Sequence, residues 1–230
     1  MFWEEDEDKS IPYEIPDDVV DISFAIKCKK LHLDHAWELS EAIQAELPWA
    51  KDEKQLGIHH IHVAETGNGW LRPEDTEEAF LWPSRRTRFY LRVPKSRVDD
   101  VQTLSGKTLS IKGNTVKLGD SSKIKELTNA SVLFSRHIIS SENEDEDQFL
   151  TRMHEEIFDI TGVKVRKLIC GKSSVIHTPN GELPARHLMV ADLESVPSVT
   201  IQQNGLGAGR LLGCGLFLPH KGIKSLHSTE

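Results

Sequence analysis

The chain has 230 residues, of which 38% are hydrophobic and 28% charged, a composition typical of a soluble globular protein with one domain or two. No apolar run approaches the length of a membrane-spanning helix, so we expect no membrane partner. The acidic start at residues 1–8 is unlike a secretory signal, and three widely spaced cysteines favour a reducing cytoplasm. The cysteines also lack the Cys-x-x-Cys spacing of a metal site.

The net charge of −8 would argue against a nucleic-acid partner, but the acidic residues are concentrated in two places. Residues 1–18 carry a net charge of −7 and residues 142–147 a net charge of −5, which leaves about +4 elsewhere. A local basic face is therefore compatible with this sequence. We interpret the two acidic runs as a solvated tail and a solvated helix start.

After an acidic tail at residues 1–17, the first half of the chain predicts the order β-α-β-β-α-β, which is typical of a ferredoxin-like domain. The predicted elements are a strand at 19–27, a helix from an Asp34 cap to about 47, a strand at 56–66 followed by a turn at 67–69, a strand at 86–93, a short helix capped by Ser96 and ending near 104, and a hairpin over 107–118 around Gly113 and Asn114.

The second half predicts the same order again. Its predicted elements are a strand at 131–139, a helix at 147–160 ended by Gly162, a hairpin of 163–175 and 186–193, a helix at 196–204 capped by Ser195, and a strand at 214–218. We therefore predict an α+β fold of two tandem ferredoxin-like domains, at residues 18–120 and 130–222.

A glycine-rich stretch precedes the last predicted strand. Five glycines fall within residues 205–215 and surround a single arginine, Arg210. Glycine lets another backbone or a phosphate come close, so the stretch predicts a loop that presents N–H groups to an anion. The loop does not follow a first strand, so the context of a dinucleotide-binding site is absent.

Four segments carry a resemblance to a known family. They are residues 33–39 (LDHAWEL), 57–61 (GIHHI), 84–94 (SRRTRFYLRVP) and 205–221, within which GCGLFLPHK is the most specific. The chain resembles the CRISPR-associated endoribonucleases of the RAMP superfamily, the sixth-numbered Cas protein, which cut repeat transcripts into guide RNAs. It is most similar to the subgroup found in some type I systems of myxobacteria and cyanobacteria.

The resemblance implies RNA cleavage without a metal or other cofactor. The ribose 2′-OH would attack the scissile phosphate and leave a 2′,3′-cyclic phosphate and a 5′-OH, with the precursor repeat hairpin as substrate. It also implies that the protein stays on the crRNA 3′ hairpin and joins other Cas subunits in a Cascade-type effector complex. The alternatives are a non-catalytic subunit that clamps this hairpin, and an unrelated ferredoxin-like protein that binds a small acidic ligand.

Such cleavage needs a base and an acid, and imidazole suits both roles near pH 7. We predict His35 as the first catalytic residue, because it lies at the start of a helix, where a phosphate is attracted. His59 is its predicted partner and His32 a reserve. A surface histidine and a packed histidine remain the alternatives for His35 and His59. His60 and His62 share a strand face but lack a third ligand, so we predict no metal site.

The predicted RNA contacts are basic residues and the glycine loop. Strand alternation places Arg86, Arg88 and Arg92 on one face, with a solvated face as the alternative. The full predicted set is Arg85, Arg86, Arg88, Arg92, Arg166, Lys167, Gly207, Gly209, Arg210 and Lys221.

Overall fold

A computed structural model describes residues 13–63 and 79–220 of the chain. The elements of the first half are, in order, β1 Val19–Lys27, β2 Leu31–His32, α1 Ala36–Glu46, β3 Gly57–Ile58, β4 Phe80–Leu81, β5 Arg88–Pro94, α2 Val98–Gln102, β6 Thr108–Ile111 and β7 Asn114–Glu126. Residues 1–12 of the acidic tail, the turn at 67–69 and Lys221 lie outside the described residues.

The first half forms one antiparallel sheet with the strand order β3-β5-β1-β7-β6. The central strand β1 places Ile22 opposite Leu91 of β5 and opposite Ile124 of β7. Alternate residues of β1 pack with Leu39 and Ile43 of α1 in one continuous core. Without the extra hairpin strand β6, this is the spatial order of a ferredoxin-like βαββαβ unit. Strand β7 runs to Glu126, past the predicted boundary at residue 120.

The second half repeats this arrangement. Its elements are β8 Val132–Ile139, α3 Glu146–Thr161, β9 Lys167–Thr178, β10 Gly181–Ala191, α4 Ser195–Asn204 and β11 Leu218–Pro219. They form a four-stranded sheet in the order β11-β8-β10-β9, which is again ferredoxin-like. The prediction of two tandem ferredoxin-like units in an α+β fold is confirmed.

Helix α3 follows directly from local sequence signals. Asp145 and Gln148 form a capping box at its start, and Gly162 ends it in the left-handed conformation with φ of 70°. Phe149, Met153 and Ile157 are buried on one face, as expected for apolar residues four apart. The predicted helix is confirmed. Within the described residues, none of the helices is long and apolar enough to cross a membrane.

Three predicted N-caps are wrong. Helix α1 starts after His35 without a side-chain cap, because the Asp34 carboxylate accepts a hydrogen bond from His177 Nδ1 at 2.9 Å instead. Ser96 lies inside a 3₁₀ turn that precedes α2, and Ser195 is the first residue within α4.

The strand predicted at 56–66 is observed only at β3. The His59 N–H still donates to the Tyr90 carbonyl oxygen at 3.1 Å, but the Ile61 N–H donates to His35 Nε2 at 3.0 Å. A side chain has therefore replaced a neighbouring strand as the partner of this backbone. The part of the prediction beyond residue 63 lies outside the described residues.

The strand predicted at 214–218 is observed only at β11. The Cys214 N–H donates to the Gly209 carbonyl oxygen at 3.0 Å, and the Gly215 N–H donates to the His137 carbonyl oxygen at 2.8 Å. These two N–H groups already donate to carbonyl oxygens of the glycine loop and of β8. The chain therefore pairs with the second sheet only from Leu218 onwards.

A buried ion pair fastens the two halves together. Arg92 is fully buried and forms two hydrogen bonds to Asp21, Nε to Oδ1 at 2.9 Å and Nη2 to Oδ2 at 3.0 Å. Its Nη1 donates across the interface to the carbonyl oxygens of Gln202 and Phe217, both at 2.8 Å. Burial alone would raise the pKa of Asp21, but the charge of Arg92 and the contact with His59 hold it well below its usual range.

We predict that Asp21→Asn lowers the free energy of unfolding by about 3–5 kcal/mol, because it leaves the Arg92 charge buried without its counter-charge. Urea denaturation followed by circular dichroism measures this loss. The stabilisation by Asp21 should be complete above about pH 4 and disappear as the pH falls through the lower folded-state pKa.

Asp17→Asn is the matched control, because Asp17 pairs with Lys95 in an exposed ion pair. It should leave the urea midpoint unchanged. An Asp21→Asn variant as stable as the wild type would show that the buried pair does not hold the halves together.

Candidate active site

Five histidines meet where the two halves touch. We call this group the histidine cluster: His35, His60, His62, His137 and His187. The ring of His60 lies at its centre, with centroids 5.7 Å from His35, 6.0 Å from His62 and 4.5 Å from His137. The rings of His137 and His187 are 6.2 Å apart. The residues come from the start of α1, the segment after β3, and strands β8 and β10, so both halves contribute.

Both ring nitrogens of His35 are committed to the backbone. Nδ1 lies 2.8 Å from the carbonyl oxygen of His32 and 2.9 Å from that of Leu33, so it must carry the proton. Nε2 accepts the Ile61 N–H at 3.0 Å, and the residue is 2% exposed. In this conformation both ring nitrogens of His35 face backbone groups, and its catalytic role stays a prediction. His35 also positions the chain that carries His60.

The glycine loop fixes the orientation of His60. Its Nε2 donates to the Leu212 carbonyl oxygen at 2.7 Å, so the neutral ring carries its lone pair on Nδ1. Gly213 lies against the same ring, and a Cβ added there would be 2.3 Å from His60 Cδ2. Only glycine permits this approach, since φ of Gly213 is also 75°. His60 is half-buried, whereas His35 is enclosed.

His59, the second predicted catalytic residue, is buried between the halves. It is 7% exposed, and its Nε2 lies 3.8 Å from Asp21 Oδ1. Burial lowers the pKa of the ring; the Asp21 carboxylate opposes this effect, and the charges of Arg92 and Arg210 add to it. His59 is thus largely shielded from solvent, and its direct action on RNA stays a prediction.

The arginines of the basic face predicted on β5 differ in how deeply they are buried. Arg92 has no exposed surface, so the prediction that it contacts RNA is wrong. Arg88 is half-buried and donates to the Ser23 hydroxyl at 3.0 Å and to the Ser23 carbonyl oxygen at 2.9 Å. Arg85 and Arg86 precede the strand and are exposed, so they stay candidates for phosphate contacts.

Arg210 binds carbonyl oxygens of the protein itself. Its Nη1 donates to Asn204 at 2.6 Å, and its Nη2 donates to Gln203 at 3.2 Å and, in the first half, to Gln55 at 2.8 Å. Burial lowers the pKa of the guanidinium to about 10, and the nearby charge of Arg92 contributes. The Nη1 and Nη2 donors thus join the glycine loop to the end of α4 and to the first half, and contact of Arg210 with an RNA phosphate stays a prediction.

The anion bound by the glycine loop is a side chain of the protein. The Gly207 N–H donates to Glu156 Oε2 at 2.8 Å. At Gly209 a Cβ would lie 2.7 Å from Ile139 Cδ1, so this glycine allows close packing. A phosphate would have to displace Glu156 from Gly207, and RNA binding by these two glycines stays a prediction.

The remaining predicted RNA contacts within the described residues lie at the start of β9. Arg166 and Lys167 are exposed, and Lys167 Nζ lies 2.7 Å from Asp192 Oδ2 in an exposed ion pair. Within residues 13–63 and 79–220, no group of three or more histidine, cysteine, aspartate or glutamate side chains is placed to hold a metal ion.

A sequence comparison decides the family. The family model described as "Cas6 Crispr" matches residues 20–222. The chain belongs to the Cas6 family. A relative, the CRISPR-associated endonuclease Cas6 of Myxococcus xanthus (strain DK1622), is 26% identical over 200 residues, which are 87% of this chain and 81% of the relative.

Solved structures share the fold. A RAMP protein described as binding different RNA substrates has a TM-score of 0.60 at 12% identity, over 86% of this chain and 98% of its own. A Cas6-related protein from Pyrococcus furiosus has a TM-score of 0.57 at 12% identity, over 90% of this chain and 99% of its own. The type I subgroup stays a prediction.

The sequence of this Cas6 protein did not predict that the second half contributes His137 and His187 to the cluster. His137 lies within an apolar strand and is 5% exposed, so its pattern matches an ordinary core residue. Its Nδ1 lies 3.1 Å from the Ser174 hydroxyl. Only the packing of one ferredoxin-like unit against the other brings it beside His60.

We predict that acid destabilises the protein partly through His59. Because its folded pKa is lowered, the unfolded state binds more protons, and stability should fall as the pH drops below about 6.5. Between pH 7.5 and pH 5, the urea midpoint of unfolding should decrease less in His59→Gln than in the wild type. If His59→Gln lost as much stability over this pH range as the wild type, the contribution of His59 would be refuted.

Proposed function

We propose that this protein is an endoribonuclease that binds CRISPR repeat RNA and cleaves precursor crRNA. The observation that carries the proposal is the histidine cluster, which a member of the Cas6 family assembles at the contact between its two ferredoxin-like units. The Myxococcus xanthus relative is named an endonuclease, which supports the same activity here.

The proposed reaction needs proton transfer but no metal ion. The 2′ oxygen upstream of the cut forms a bond to phosphorus, and the bond from phosphorus to the 5′ oxygen breaks. A base takes the proton of the 2′-OH and an acid gives one to the 5′ oxygen, so the products are a 2′,3′-cyclic phosphate and a 5′-OH.

We assign proton transfer to His60 and His62. The tautomer of His60, set by the bond to Leu212, carries its lone pair on Nδ1, as a general base requires. His62 is half-buried and its ring centroid is 6.0 Å away, a spacing that lets both rings reach one phosphodiester. His35 is a positioning residue, because it holds the Ile61 backbone next to His60.

The proposed RNA surface consists of exposed cations. Arg85 and Arg86 in the first half, and Arg166 and Lys167 in the second, are accessible to phosphate groups. We propose that they contact phosphates of the repeat RNA, which is bound with its hairpin formed, and that the protein stays on the product and joins other Cas subunits. The assignment of RNA binding to residues 130–222 and of catalysis to residues 18–120 stays a proposal.

A non-catalytic hairpin clamp is the second candidate. It is favoured by one observation, the commitment of both His35 nitrogens to backbone groups. A clamp would bind the hairpin through the same exposed cations and would need no proton transfer. The two functions therefore differ only in whether the bound RNA is cleaved.

His60→Gln should lower single-turnover cleavage of the adjacent repeat RNA by about 100-fold or more, while RNA binding persists. Glutamine keeps an N–H donor for the Leu212 carbonyl oxygen but cannot carry the transferred proton. Wild-type cleavage should continue in EDTA and stop when the attacking 2′-OH is replaced by hydrogen. Gel analysis of labelled RNA measures all three, and binding without any wild-type cleavage would favour the clamp.

His35→Asn separates positioning from proton transfer. Asparagine keeps a donor near the carbonyl oxygens of His32 and Leu33, so the rate should fall less than in His60→Gln and its pH dependence should stay unchanged. A folded His35→Asn protein that loses cleavage completely would return the proton-transfer role to His35. His154→Asn, at a half-buried position of α3 outside the histidine cluster, is the control for both variants.

A further inference from the structure

A cleft of about 650 Å³ opens at the edge of the first sheet, apart from the histidine cluster. Three segments line it: the end of β1 with the residues that follow, the loop before β5, and the turn between β6 and β7. These three segments are residues 26–30, 83–85 and 113–115. None of the described lining residues is acidic.

Four cations line this cleft: Lys27, Lys29, Lys30 and Arg85. All four are exposed, and within the described part of the chain none of them has an ion-pair partner. Like charges held together repel each other, so this concentration in a protein of net charge −8 favours a polyanionic ligand.

An exposed tryptophan stands beside the cleft. Trp82 directly precedes the lining segment that begins at Pro83, and 59% of its surface is exposed. On the same side, Lys30 Nζ lies 4.2 Å from the centroid of the Phe80 ring. Exposed aromatic rings stack on unpaired bases while neighbouring cations contact the phosphates, and this combination is how proteins hold single-stranded nucleic acids.

We propose that the cleft binds the single-stranded RNA that flanks the repeat hairpin, with Trp82 stacked on a base and the four cations on phosphates. A duplex keeps its bases paired inside, so an exposed indole favours a single strand. As a site for repeat RNA, the inference rests on the proposed function.

The first experiment uses the full chain and a labelled 12-nucleotide oligouridine, which has no hairpin. Trp82→Ala should weaken binding by about 10-fold, whereas Trp82→Phe should restore most of it. Lys29→Gln should reduce the slope of log affinity against log salt concentration by about 0.7, the value expected for one phosphate contact to a single strand.

Lys51→Gln removes the same charge from an exposed site away from the cleft, and it should leave both affinity and slope unchanged. Oligouridine binding that is insensitive to Trp82→Ala and Lys29→Gln would overturn the proposal. The circular dichroism spectrum of each variant confirms that it is folded.

The second experiment uses repeat RNA with a 2′-deoxy nucleotide at the cut, as a bare hairpin and with its single-stranded flank. Trp82→Ala should reduce the affinity for the flanked RNA to that for the bare hairpin, which should itself be unchanged. Equal weakening with both RNAs would place duplex in the cleft and overturn the proposal. If Trp82 supports oligouridine binding but wild-type protein never cleaves repeat RNA, the nuclease proposal fails and the single-strand site stands.

Discussion

The buried contact of Arg92 with Asp21 is the constraint on which the arrangement of the two halves depends. A guanidinium taken out of water is costly, and the carboxylate offsets that cost only together with further hydrogen bonds. Gln202 and Phe217 supply two carbonyl oxygens from the second half, so the charge is satisfied only when the halves are docked. Each ferredoxin-like unit has its own core. The ion pair therefore fixes how one unit is positioned against the other.

The docked halves then define the site. His60 belongs to the first half and His137 to the second, and their rings reach 4.5 Å only across this contact. The glycine loop completes it, since Arg210 reaches the Gln55 carbonyl oxygen while Gly213 lies against the His60 ring. In this structure the close approach that glycine permits is made to a side chain: Gly213 lets the second half lie close enough to orient His60 of the first half.

The fold could be predicted from the sequence, whereas the packing around the predicted site residues could not, for physical reasons. Helix α3 is specified by neighbours in the chain, the capping box and Gly162, so its signal is local. Strand alternation correctly placed Arg88 and Arg92 on one face of β5, but it carries no information about what covers that face. The place of His35 at a helix start is likewise a local signal, whereas its contact with the Ile61 N–H involves a residue 26 positions away and cannot be read from the pattern.

Depth separates the cations of this protein into two kinds. Arg92 is buried and donates to the Asp21 carboxylate and to two carbonyl oxygens, as a buried charge requires. Arg210 is half-buried and donates through Nη1 and Nη2 to three carbonyl oxygens. Both guanidinium groups thereby hold segments of the protein itself together. Arg85 and the lysines of residues 27–30 face water without ion-pair partners in the described part of the chain, and they remain available to an anion. Fork-shaped guanidinium groups suit the first task, since several fixed donors can meet several carbonyls at once. A surface that holds a mobile single strand needs only exposed charge and one flat ring, and the cleft beside Trp82 provides both.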